Sequence, residues 1–182
     1  MHRNDLLQQL GAYQRSWPNE NIIAHRFIDF VETNPNCFER SLKIGHVTGS
    51  AWVVNAAGTH VLLTHHRKLN MWLQLGGHAD GHTDIFAAAQ KEANEESGLT
   101  HLEPVTPEIF DIDIHRIPAR KKELEHDHYD VRFAFRATAS EAYIVSAESH
   151  DLAWVEIKNI ESYTTEESML RMAEKWKAYS NP

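Results

Sequence analysis

Residues 76–99 read GGHADGHTDIFAAAQKEANEESGL. Two glycines open a loop that carries His78, Asp80, His82 and Asp84. The alanine-rich run after it predicts a helix over 85–97, because Ala, Gln, Lys and Glu are good helix formers. Thr83 or Asp84 can cap its start by accepting a backbone N–H, and Gly98 stands where a left-handed C-terminal cap is expected. Inside the helix, Glu92, Glu95 and Glu96 fall at i, i+3 and i+4, which stacks three carboxylates on one side. Stacked like charges destabilise a bare helix. Two readings are open: a solvated acidic face, or a platform for a hard divalent ion such as Mg²⁺ or Mn²⁺, which takes oxygen ligands. Phe86, Ala89 and Ala93 fall on a neighbouring face, free to pack on a sheet.

The order and spacing of these residues resemble the Nudix box, G-x5-E-x7-R-E-U-x-E-E-x-G-U, where U is a bulky aliphatic residue. Gly77 takes the first glycine, and Glu92, Glu95, Glu96, Gly98 and Leu99 fall in register. Thr83 stands where the first glutamate belongs and Lys91 where the arginine belongs, and Ala93 is smaller than the usual aliphatic. The resemblance implies an α+β fold, a Nudix-like α/β/α sandwich with a central mixed β-sheet. Residues 1–40 are expected to be an N-terminal helical extension of the same domain, and 41–182 the Nudix hydrolase domain.

The same resemblance implies a Mg²⁺- or Mn²⁺-dependent hydrolase that cleaves a diphosphate linkage in a nucleoside diphosphate derivative or related nucleotide. It makes Glu92 and Glu96 metal ligands, Glu95 a ligand or the group that orders the attacking water, and the Gly76 carbonyl a further ligand. A helper carboxylate is expected in the loop before the last strand's tryptophan. Glu148, ahead of Trp154, takes that place, with Glu123 and Glu125 as competitors. The family's glutamate–arginine brace is absent here, and Asp84 is expected to pair with Lys91 in its stead. Those departures also motivate an alternative, a Nudix-fold sensor or partner-binding module that binds a nucleotide without cleaving it. An isopentenyl diphosphate isomerase relative shares the fold and needs a cysteine, for which Cys37 lies in an unsuitable loop.

The rest of the chain fits around this stretch. A length of 182 residues suggests one domain with a substantial core. A net charge of −8 argues against a general nucleic-acid binder. No apolar run approaches a membrane span, the N-terminus lacks a secretory apolar region, and one cysteine permits no intrachain disulfide. A cytoplasmic protein is expected. Apolar stripes predict helices over 4–16, capped by Asn4 or Asp5, and 20–33; they leave a homodimer open.

From His46 the period changes to two. Strands are expected over 46–54 and 60–65, joined as a hairpin through the turn at 55–58, and then at 72–75. Further strands are expected over 109–114, 126–137 and 152–157, with a charged loop over 118–125. A capping box at Thr164–Glu167 starts a terminal helix to about Tyr179. On the strand 126–137, Val131, Phe133 and Phe135 share one face, and His126, His128, Asp130 and Arg132 the other. His126 and His128 can bind phosphate, hydrogen-bond in a polar cleft, or ligate a transition metal. The first two are favoured because spacing identifies no third ligand. Arg67, Lys68, Trp72, His78 and His82 complete the candidate substrate contacts, Trp72 alternatively as core.

Overall fold

The computed structural model describes residues 3–120 and 124–180. Helices α1 (Asn4–Ser16) and α2 (Asn21–Thr33) precede β1 (Gly45–Val54), β2 (His60–His66), β3 (Met71–Leu73) and β4 (Leu75–His78). Helix α3 (Ile85–Ser97) follows, then β5 (Leu102–Pro104), β6 (Asp111–Ile117), β7 (His126–Ala137), β8 (Ser149–Glu156) and α4 (Glu167–Ser180). The eight strands among the described residues join one mixed sheet, as the sandwich reading requires. No helix is long and apolar enough to cross a membrane, among the described residues.

The sheet is built on β1. It runs parallel to β7 from Gly45↔Asp127 to Val54↔Arg136 and antiparallel to β4 from Thr48↔His78 to Ala51↔Leu75. Parallel neighbours need a long crossover, and α3 lies in it. The expected hairpin forms through the turn at 55–58 but its ladder is short: β2 pairs antiparallel with β1 at Val54↔Val61 and then runs on to pair with β8 and β3. Gly76 and Gly77 are a correction, since they lie inside β4 and the loop begins after His78. Helix α1 starts after Arg3 with no side-chain cap, so neither Asn4 nor Asp5 plays that part. Helix α4 starts at Glu167, and the Thr164 hydroxyl accepts from the Glu166 N–H instead of opening the helix.

Alternation along β1 sorts the two faces. Val47, Ala51 and Val53 join Val131, Phe133 and Phe135 of β7 in a core that α1, α2 and α3 cover. Gly49 suits this packing: a Cβ would sit 3.1 Å from the Ile85 carbonyl oxygen, a tight contact, so its absence lets α3 lie close to the sheet. Trp52, Val54 and Ala134 face the other way, onto Phe110 and the α4 residues Met169, Met172 and Trp176.

That second face also carries charge. Arg132 pairs with Asp130 (2.7 Å) and Asp111 (3.1 Å), and Asp111 in turn with Arg171 (2.8 Å) and Lys175 (2.6 Å). Lys175 reaches Glu20 at 2.8 Å, which ties α4 to the chain between α1 and α2. Asp130 also accepts from Thr48 (2.8 Å), Ser50 (2.7 Å) and Gln74 (3.2 Å), so its carboxylate is held from β1, β7 and the β3–β4 junction at once. These groups are buried or half-buried and mutually satisfied, the condition under which buried charge is tolerated.

Candidate functional site

The carboxylate helix takes its place through its ends. Asp84 caps α3 by accepting from the Ala87 N–H at 2.9 Å, and Gly98 closes it at φ 71°. Ala89 and Ala93 are buried, and Phe86 packs on Phe133 and Phe135. This seats α3 with Glu92 and Glu96 over the glycines of β4. The Gly76 N–H donates to Glu96 Oε2 at 3.2 Å. A Cβ on Gly77 would lie 2.4 Å from Glu92 Oε2, so glycine leaves the space that the carboxylate fills. A Cβ on Gly76 would meet the Ser50 hydroxyl at 2.3 Å.

Burial pushes the Glu96 carboxyl up to about 7; the Gly76 N–H partly offsets this, and the charges of Glu92 and Glu148 add to it. Glu92 is raised in the same way, by burial first and by Glu95 and Glu148 as well, against the pull of Lys91. Glu148 therefore acts electrostatically on both, although it comes from the loop before β8. No basic side chain forms an ion pair with Glu96 among the described residues, in contrast to Asp111 and Asp130.

Glu95 is different. At about 100° per residue, it lies about 60° round the helix from Glu92 and about 100° from Glu96. It turns outward and pairs with Lys91 at 3.0 Å, both side chains 59% exposed. The expected Asp84–Lys91 brace is thereby corrected: Asp84 is spent on the cap and Lys91 on Glu95, with Glu92 at 3.9 Å.

The other expected contacts scatter. The Arg67 guanidinium donates to the Ser149 carbonyl at 2.7 Å, and its N–H to the Glu148 carbonyl at 3.0 Å, so it fixes the start of β8. Lys68 offers its carbonyl to Arg120. Trp72 stacks on His65 and meets Tyr163 edge-on, which makes it packing. His78, His82, Lys91 and Glu92 line a cleft of about 220 Å³ between the box loop and α3. Arg116 holds Glu125 at 2.7 Å, and Glu123 lies outside the described residues. Cys37 is buried in the core, its thiol pushed up to about 11 by burial, which removes it as a nucleophile.

The histidine pair has company that spacing did not reveal. His46 of β1 and His78 at the end of β4 join His128 of β7, one nitrogen from each lying within 4.8 Å of the others. His126 stacks on His46 with centroids 5.0 Å apart, and its Nδ1 donates to the Leu124 carbonyl. Burial brings His78 down to about 4 and His128 to about 2, aided by Arg40 for the first and His115 for the second. Burial thus favours the neutral ring in both, and His128 would meet a phosphate as a neutral imidazole. The signal available in sequence was His46 itself, which opens a strand on the same parity as Thr48 and Ser50.

A NUDIX domain model matches residues 46–176. No curated protein matches. Among solved structures, an Ap4A hydrolase from C. elegans is 18% identical, with a TM-score of 0.55, over 73% of this chain and 96% of that one. A MutT protein from Methanosarcina mazei Go1 is 18% identical, with a TM-score of 0.55, over 78% and 99%. The dihydroneopterin triphosphate pyrophosphohydrolase of E. coli is 13% identical, with a TM-score of 0.54, over 71% and 92%. The likeness to these structures is one of fold, and the domain match extends from β1 into α4 over most of the chain: the protein belongs to the NUDIX domain family.

Proposed function

We propose that the protein is a divalent-metal-dependent pyrophosphohydrolase that cleaves a diphosphate linkage in a small nucleotide derivative. The observation that carries this reading is Glu96: a buried carboxylate without a basic partner among the described residues, held on the Gly76 N–H beside Glu92. Two such carboxylates in one place fit Mg²⁺ or Mn²⁺, because a hard cation relieves both their repulsion and their burial. Glu92 and Glu96, with the Gly76 carbonyl, would hold it. A bound ion there supplies charge neutralisation on diphosphate oxygens and makes a coordinated water more acidic.

The chain's own residues do the rest. Glu148, whose charge reaches both Glu92 and Glu96, takes the proton from the attacking water. Glu95 stays with Lys91 and orders the outer edge of the site. Gly77 leaves the space that Glu92 needs, and the cleft bounded by His78, His82 and Lys91 receives a phosphate arm. The nucleotide class is supported by kinship in fold with hydrolases named for Ap4A and dihydroneopterin triphosphate.

The Lys91–Glu95 pair, which occupies one of the three box carboxylates, favours the second reading, a nucleotide-binding module without turnover. One screen separates the two. Nucleoside triphosphates and nucleoside diphosphate derivatives are incubated with Mg²⁺ or Mn²⁺, and released phosphate and nucleotide are read separately. Metal-dependent release that disappears in Glu96→Gln is expected. Tight nucleotide binding with no release under either metal would overturn the hydrolase and leave the binding module.

A further inference from the structure

We propose that His46, His78 and His128 form a second metal site, selective for a transition-metal ion such as Zn²⁺, on the face of the sheet away from α3. Three strands supply it. His46 and His128 are direct partners in the β1–β7 ladder, and His78 is the partner of Thr48 in the β1–β4 ladder. The backbone therefore fixes where the three imidazoles start, and one nitrogen of each already lies within 4.8 Å of the other two. In a tetrahedral zinc site, ligands about 2.0–2.1 Å from the ion stand about 3.4 Å apart. Small side-chain rotations close that difference.

The donor set decides the ion. Three imidazoles without a carboxylate suit Zn²⁺, Co²⁺ or Ni²⁺ and disfavour Mg²⁺, which asks for oxygen. Imidazole coordinates through a ring nitrogen's lone pair, and each of the three rings turns one nitrogen toward the other two. His128 Nε2 is buried and has no hydrogen-bond partner among the described residues, a state that costs free energy and that an ion relieves. Three histidines leave a fourth position, as in catalytic zinc sites. His126 stands next to His46 and His128, with ring centroids 5.0 and 5.2 Å away, and its Nδ1 donates to the Leu124 carbonyl.

The surroundings carry little opposing charge. His115, which meets His128 edge-on, turns its Nδ1 to Asp113 at 3.2 Å, and Arg40 near His78 is engaged by Asp80. The site adjoins the box carboxylates but differs from them in donor set: His78, at the end of β4, also borders the cleft that Glu92 lines, yet Glu92 approaches Gly77 from the α3 side, whereas His78 shares the opposite face with Thr48 and Ser50. A bound ion would cross-link β1, β4 and β7, and so stiffen the strand whose Gly76 N–H holds Glu96.

The test uses full-length, untagged protein stripped by chelator and titrated with Co²⁺ in excess Mg²⁺, with visible absorbance reporting imidazole-bound cobalt. One equivalent is expected, displaced by Zn²⁺. His78→Asn and His128→Asn should each weaken Co²⁺ binding by at least the roughly 10- to 100-fold seen on losing even an outer-shell partner. Glu96→Gln should leave it intact. Circular dichroism checks the fold of each variant; should His128→Asn fail to fold, His78→Asn at the end of β4 carries the test. Absence of stoichiometric Co²⁺ overturns the proposal. So does an equivalent that survives the histidine substitutions, which would place it on other histidines, or one lost in Glu96→Gln, which would place it in the box.

Discussion

The two faces of the central sheet bury acid groups in opposite ways. On the α4 side, Asp111 and Asp130 are fully buried, yet Arg132, Arg171 and Lys175 surround them, and hydroxyls from β1 complete the network. On the α3 side, Glu96 is almost as buried and, among the described residues, meets a single backbone N–H. A satisfied network specifies how strands and helices sit; a buried carboxylate held without a counter-charge costs stability and marks a place where a cation is to arrive. The same chemical change, carboxylate to amide, should therefore act oppositely on the two faces.

Asp111→Asn carries the largest expected effect. It removes the anion shared by Arg132, Arg171 and Lys175 and leaves buried cations short of charge. Breaking such a set costs about 3–5 kcal/mol. Urea denaturation should show the midpoint falling by that equivalent, with hydrolysis per folded molecule little changed. A variant as stable as the parent would show that the network is incidental.

Glu96→Gln is the counterpart. Activity should fall by about 100-fold or more, about 2.7 kcal/mol of transition-state stabilisation, while the metal-free protein is not destabilised. Because burial raises this carboxyl from about 4.5 to about 7, the folded state holds a proton that the unfolded state releases in between. Metal-free stability should therefore decline as pH rises from about 4.5 through 7. Glu96→Gln should flatten that decline, and Mg²⁺ should offset it above pH 7. Denaturation curves at several pH values, with and without Mg²⁺, check the sign; stability that climbs over this range in the parent alone would contradict the burial argument.

Gly77→Ala probes the same face more gently. The added methyl meets the far end of the Glu92 side chain, which can swing away, so the fold should survive. The displaced ligand should cost activity about 10- to 100-fold, the penalty of misplacing a catalytic group by about 1 Å. A Mg²⁺ titration of rate should show the loss partly restored at high metal.

Sequence carried the α3 side much further than the other. Helix, cap and C-terminal glycine are local, so residues 84–98 fix them without knowledge of the rest. The i, i+4 relation that brings Glu92 and Glu96 together is local too. The α4 side depends on pairings between distant segments. Thr48 meets Asp130 across 82 residues, and neither alternation nor charge reveals that β1 runs parallel to β7 rather than pairing along its length with β2. His46 was missed for the same reason: its partner histidines come from two other strands, and register is a property of the assembled sheet. The glycine pair misled in a milder way, since glycine usually signals a turn and here serves close approach inside a strand.

The smallest effect tests a substitution that both faces leave alone. Lys91 stands where the family has arginine and Asp84 follows the position of its missing glutamate, which suggested that the two form a replacement brace. In the structure the Asp84 carboxylate is engaged by the Ala87 N–H, and Lys91 reaches Glu95 one turn along, in solvent. Asp84→Ala should then cost about 1 kcal/mol, the usual value of a lost N-cap. Lys91→Ala should leave stability within error, because exposed i, i+4 pairs are screened and weak. Residues that share no interaction give additive effects, so the double variant should equal the sum of the singles in both denaturation and Mg²⁺ affinity. Coupling in either measurement would show that the two residues meet during metal binding, and the box loop would then have to move onto α3 as the ion enters.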